Sequence, residues 1–287
     1  MTRPLRHALR LAVALATTVV AVNIISISAN GESHSGGQGG ELRHVHGLGI
    51  NPGDGKVYVA THHGVYRIEA PGKAALVGTG RQDTMGFTVI GENTFLGSGH
   101  PAPGQGGPSN LGLIESSDAA ATWRTLSLAG EADFHALEYA HGTVYGYDST
   151  SQRLRVSADK MTWDNRAQLD AADIEVSPTD RDIVLATTEQ GVARSTDGGR
   201  TFRTSGGVPQ LLLSWPAARV VYAVDPAGTL SRNTDGGDTW KTISTVPGGP
   251  PQAFEAVDAR HLLAATDGGI YESRDGGATF TRLLPLS

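Results

Sequence analysis

Ser195-Thr196-Asp197-Gly198-Gly199-Arg200-Thr201-Phe202 decides the fold, because it recurs. Asn233-Thr234-Asp235-Gly236-Gly237-Asp238-Thr239-Trp240 and Ser273-Arg274-Asp275-Gly276-Gly277-Ala278-Thr279-Phe280 repeat it closely, and looser copies end in Ser117-Asp118-Ala119-Ala120-Ala121-Thr122-Trp123 and Ser157-Ala158-Asp159-Lys160-Met161-Thr162-Trp163. The aspartates at 118, 159, 197, 235 and 275 are 41, 38, 38 and 40 residues apart. A fixed period of this size implies an array of small units that bury their faces only against one another.

Each copy reads as a hairpin turn. The Asp accepts from backbone N–H groups across the turn, the Gly pair supplies positive φ, and the Thr and aromatic residue begin the next strand. Each repeat offers too few oxygen ligands for a self-contained calcium site.

Working outward, strand-like runs separated by Gly, Pro, Asn and Asp divide the chain into six units, 43–80, 83–127, 133–169, 172–207, 210–246 and 252–286. The first has the four-strand rhythm without the repeated turn. No stretch holds a helical period over three turns. The reading is an all-β, six-bladed β-propeller over 41–287, with seven blades or a two-domain all-β arrangement as alternatives.

Ahead of it, Arg3, Arg6 and Arg10 precede an apolar run from Leu11 to Ile27, the pattern of an export signal with small residues for cleavage at 26–29. The run is near the lower length for a membrane span, so 1–29 reads as a signal peptide or an N-terminal membrane anchor. Residues 30–40, rich in Gly and Ser, read as a linker. The expected location is secreted or extracytoplasmic.

The chain of 287 residues has no cysteine, which excludes disulfides, thiolate metal sites and a cysteine nucleophile. Its formal charge of -6 becomes -9 once the three leader arginines are removed. That balance gives no electrostatic footprint for nucleic acid.

The histidines carry the functional signal. In a propeller, the start of each innermost strand and the loop between the second and third strands lie at one end of the ring. Those positions hold His44, His46, His62 and His63 in blade 1, Asp83, Met85 and His100 in blade 2, and Asp133, His135 and Asp148 in blade 3. Six of the ten histidines fall there, and blades 4 and 5 have none. Imidazoles with a thioether suit copper, and imidazoles with a carboxylate suit zinc or another divalent metal. His44 and His46, two apart on a strand, are expected to share a face. The expected metal ligands are therefore His44, His46, Met85, His100 and His135, with copper the leading ion.

Two other readings stand beside this one. Asp83 and Asp133, on adjacent inner strands, suit the acid and base or nucleophile of a glycosidase if suitably separated. A metal-free face with an apolar patch would suit protein binding or assembly. The chain has no Gly-x-Ser-x-Gly nucleophile turn.

The repeated Ser/Asn-x-Asp-x-Gly-x-Thr-Trp/Phe pattern resembles the Asp-box, or BNR, repeats of the sialidase-like propeller superfamily. His44-Val45-His46-Gly47-Leu48-Gly49 together with Asp83-Thr84-Met85-Gly86-Phe87 resembles bacterial exported proteins labelled as glycosyl hydrolases. The resemblance implies a propeller with Asp-box turns, and an exo-acting glycoside hydrolase if an enzyme. The Arg-Ile-Pro segment that carries the first substrate-binding arginine of sialidases is missing here.

Overall fold

The computed structural model describes residues 42–286, apart from 205 and 238. The leader and linker expected at 1–29 and 30–40 lie outside the described residues. Among those described, no helix is long and apolar enough to cross a membrane.

Six four-stranded antiparallel sheets form the ring, each made of consecutive strands in the order of the chain. Blade 1 contains β1 (Val45–Ile50), β2 (Val57–Thr61), β3 (Gly64–Ala70) and β4 (Lys73–Leu76). Blade 2 contains β5 (Asp83–Gly91), β6 (Thr94–His100), β7 (Leu113–Ser116) and β8 (Arg124–Ser127). Blade 3 follows with β9 (Phe134–Ala140), β10 (Thr143–Asp148), β11 (Arg153–Ser157) and β12 (Asp164–Gln168). Blade 4 has β13 (Ile174–Val176), β14 (Val184–Thr188), β15 (Gly191–Ser195) and β16 (Arg203–Thr204). Blade 5 has β17 (Leu212–Ala217), β18 (Val220–Val224), β19 (Thr229–Asn233) and β20 (Lys241–Thr245). Blade 6 has β21 (Pro251–Ala256), β22 (Leu262–Thr266), β23 (Gly269–Ser273) and β24 (Thr281–Pro285).

The second strands of blades 1, 5 and 6 are buried on both faces, which is why they read as nearly continuous apolar runs and alternate only weakly. The core lies between blades. One cluster joins Val57, Val59 and Tyr66 of blade 1 to Leu263, Ala265 and Ile270 of blade 6 and so closes the ring. Polar stitches reinforce this closure. The Val45 N–H donates to Gln252 Oε1 at 2.8 Å, and the Gly72 N–H to the Leu283 carbonyl at 2.7 Å. Similar bonds tie blade 2 to blade 3 (Phe134 N–H to Ser98 Oγ, 3.0 Å) and blade 5 to blade 6 (Ala256 N–H to Ser214 Oγ, 3.0 Å).

The recurring turns join the third and fourth strands of blades 2 to 6. In each, the aspartate accepts from both the backbone N–H and the hydroxyl of the threonine, Thr122, Thr162, Thr201, Thr239 or Thr279. Bonds to Thr201, Ser195 and Arg200 hold Asp197 well below the ordinary carboxylate range.

These turns also seat one blade on the next. A Cβ on Gly199, Gly237 or Gly277 would meet Leu154, Leu185 or Leu230 of the preceding blade, and all three glycines have positive φ. Gly277→Ala is therefore expected to destabilise by about 2–4 kcal/mol, from the φ 88 conformation and the displaced Leu230 together. Chemical denaturation would measure it. A loss below about 0.5 kcal/mol would show that Leu230 moves aside freely.

Candidate functional site

The site grows from a repeated irregularity at the start of the inner strands. Pairing of β1 with β2 slips between Val45 and Gly47, of β5 with β6 between Thr84 and Gly86, and of β9 with β10 where Ala136 and Phe134 face consecutive residues. The extra residue is His46, Met85 or His135 respectively. In blade 6 the same slip leaves Gln252 between Pro251 and Ala253. Bulges re-aim a side chain out of the pleat. All four bulged residues line one axial cavity of about 260 Å³.

Gly86 fits this geometry. A Cβ there would run into the Phe134 carbonyl, so the residue after Met85 must stay bare for blade 3 to approach.

Two trios of ligating groups form at this end of the ring. Within each, one atom per residue lies within 4.8 Å of the others. The first contains His46, His62 and Asp83. His46 Nε2 lies 3.3 Å from His62 Nδ1 and 3.6 Å from Asp83 Oδ1, and His62 Nδ1 lies 2.8 Å from Asp83 Oδ2. Burial and then the His62 charge push the His46 imidazole down to about 4, against the opposing pull of Asp83. The ring is neutral near pH 7, the form in which imidazole ligates.

His100, Asp133 and His135 form the second trio. His135 Nε2 is 2.9 Å, and His100 Nε2 3.5 Å, from Asp133 Oδ2, to which Ser149 Oγ donates at 3.1 Å. Burial pushes the Asp133 carboxyl up, but His135, His100 and Ser149 outweigh it and hold the group ionised.

The expected ligands thus divide. His46, His100 and His135 enter the trios, while Asp83 and Asp133, expected as an acid–base pair, supply one carboxylate to each. Met85 belongs to neither trio and lines the cavity with His46 and His135. His44 does not share a strand face with His46. It precedes β1 at φ 57, and its ring lies 5.0 Å from that of His62. Strict alternation fails here because His46 is itself the bulged residue.

His62 was the trio member hidden in the sequence. The tandem His62-His63 sits in the β2–β3 turn, with His62 toward Asp83 and His63 exposed. Asp148 is structural, fully buried, and paired with Arg155 at 2.8 Å.

Deeper in the cavity stand Glu138, Asp173, Glu175 and Glu255. Burial, then mutual repulsion, pushes Glu138 and Glu175 well above the ordinary range. Glu255 rises to about 8 for the same two reasons, and Asp173 to about 7 through burial, opposed by the Leu213 and Ile174 amides.

An outer cleft of about 500 Å³ beside Tyr145, Trp163 and Arg181 is roomier, but two of its guanidiniums, Arg166 and Arg200, are already paired with Asp164. It has no convergent set of free donors comparable to the axial end.

A six-bladed all-β propeller with polar groups gathered at one end of its axis is the class of protein that fold and site define. No family model matches the chain, and no curated protein matches it. Its fold is similar to that of a GH74 enzyme from Niastella koreensis, at 15% identity and a TM-score of 0.63, over 85% of this chain and 45% of that one. It is similar also to YCF48 from Cyanidioschyzon merolae (12% identity, TM-score 0.52, 81% of this chain and 93% of that one). A third similar structure is the virginiamycin B lyase from Staphylococcus aureus (11% identity, TM-score 0.56, 84% of each chain). The chain spans less than half the length of the GH74 enzyme. At these identities the likeness shows the fold alone, and three differently named proteins share it.

Proposed function

We propose that this is an extracytoplasmic propeller that binds a divalent transition-metal ion at the axial end of blades 1 to 3. The observation that carries the reading is the His46–His62–Asp83 trio, drawn from the starts of β1 and β5 and the β2–β3 turn, with its ligand atoms within 4.8 Å of one another. Two imidazoles and a carboxylate suit Zn²⁺ and Cu²⁺, and three protein ligands leave a position for an outside group. Copper is the preferred ion, because Met85 adds a thioether to the cavity that His46 and His135 line.

The test is equilibrium dialysis of the purified protein against Cu²⁺ and Zn²⁺ with elemental analysis. Wild type is expected to retain stoichiometric metal, with Cu²⁺ displacing Zn²⁺, and His46→Ala to weaken binding by about tenfold or more. Met85→Leu should spare Zn²⁺ affinity and lower Cu²⁺ affinity. Retention of no metal by folded wild type would sink the reading.

A second reading is a metal-free propeller that binds a protein partner or serves assembly. The exposed, Gly- and Pro-rich segment 101–110 favours it, because it rims the axial end with ready-made contact surface. It predicts capture of a partner that survives His46→Ala. A glycoside hydrolase fits less well. Asp133 is held ionised and engaged by imidazoles, and so is unsuited to proton donation.

A further inference from the structure

The second trio differs from the first in being built at the neck of a long loop. Residues 101–112 connect β6 to β7. Their neck is closed by the Leu111 N–H donating to the Gly99 carbonyl at 2.8 Å, and beside it the Gly130 N–H donates to the Asn110 carbonyl at 2.8 Å. Beyond this neck the loop has one internal backbone bond, from the Gln105 N–H to the Ala102 carbonyl.

His100, the last residue of β6, is oriented by this loop. Its Nδ1 lies 3.1 Å from the Ser109 carbonyl. A carbonyl can only accept, so Nδ1 carries the hydrogen and the lone pair of the neutral ring is on Nε2. That nitrogen faces Asp133. An outer carbonyl fixing the tautomer is the usual support of a metal-ligating histidine.

Asp133 supplies an independent sign that the trio is built for a cation. It is 6% exposed, and its buried Oδ1 has no hydrogen-bond partner, while three groups crowd Oδ2. An ionised carboxylate with a buried unmatched oxygen is costly to hold. A cation at this point would take up that oxygen and the two Nε2 atoms together.

We propose that His100, Asp133 and His135 form a second divalent-metal site, filled separately from the His46–His62–Asp83 site, and that its occupancy fastens the 101–112 loop to blade 3. The ion is of the zinc and copper class, since the donors are two imidazoles and one carboxylate. Metal would bond to the lone pair on Nε2 of each neutral imidazole, with the remaining ring hydrogen on Nδ1. Free coordination positions then lie beneath the loop, so an outside ligand and the loop compete for the same space. The inference rests on the metal-binding reading above but uses none of the same ligands.

Zn²⁺ alone is the probe, with two readouts on the full folded protein. Metal content should be two ions for wild type, one for His46→Ala and one for His100→Ala, each variant checked for an unchanged unfolding midpoint. Hydrogen exchange at 101–112 should slow by about tenfold on adding Zn²⁺ to wild type and to His46→Ala, and stay unchanged in His100→Ala and Asp133→Asn.

One ion in wild type, lost equally from both variants, would overturn the second site and leave the first reading standing. No ion in any of them would overturn both. Two ions without slower exchange at 101–112 would overturn the fastening.

Discussion

Glu255→Gln is expected to stabilise the protein at pH 8 and to leave it nearly unchanged at pH 5. The Glu255 carboxyl rises from 4.5 to about 8 in the folded protein, through burial and the neighbouring Asp173. A group raised on folding favours the folded state while it is protonated. Its contribution is complete below about pH 4.5 and is lost as pH climbs through 8. Asp173, raised to about 7, has the same sign over a slightly lower window. Stability should therefore fall from pH 5 to pH 8. A tenfold change in proton affinity between the folded and unfolded chain is worth about 1.4 kcal/mol, and solvent in the cavity lowers the sum, so Glu255 accounts for on the order of 2–3 kcal/mol.

The glutamine keeps the shape and removes the titration. Urea denaturation of both proteins at pH 5 and pH 8, with chelator present, would measure the difference. Below pH 4 the sign reverses, because Asp133 and the turn aspartates are held below their ordinary range and lose their bonds on protonation. A wild type equally stable at pH 5 and 8 would show that the axial carboxylates are well solvated.

Phe134→Ala is expected to cost about 3–5 kcal/mol and to lower the unfolding midpoint by about 10 °C. Phe134 is fully buried, stacks on Trp163 with ring centroids 4.9 Å apart, and fills the space left by Gly146, where a Cβ would meet its ring. It also stands between Asp133 and His135. The cavity left by its ring should loosen both neighbours, so Zn²⁺ binding at the His100 trio should weaken more than binding at the His46 trio. Phe134→Leu, which keeps most of the volume, should recover most of both losses. Equal weakening at the two trios would show that the ring supports the whole fold without selectively holding the site.

The architecture was legible because its signals are local and repeated. Asp197, Asp235 and Asp275 each mark the same turn, and the Gly pair beside them reports a backbone conformation that few other residues adopt. Blade 1 lacks that turn, yet its four-strand rhythm was readable because Pro52-Gly53-Asp54-Gly55 and Pro71-Gly72 punctuate it.

The site was legible only in part. Selection of one end of the ring by histidines pointed to the end where the two trios gather. The grouping was not readable, since a bulge shifts parity by one and turns His46 and His135 to the axis, while His44 stays outside on a left-handed backbone. The grouping of the axial acids was unreadable for a similar reason. Glu138 and Glu255 each stand three residues past a bulged position, His135 and Gln252, and only alignment of the blades exposes that repeat.

Among the described residues every sheet is made of consecutive strands, so the ring closes where blade 6 packs on blade 1, and this has a consequence for biogenesis. The sheet synthesised last must wedge against the sheet synthesised first, through Gln252, Leu283 and the shared apolar seam. Until then the growing polypeptide keeps an unsealed flank at each extremity, so the locked circle cannot form before the last sheet has been made.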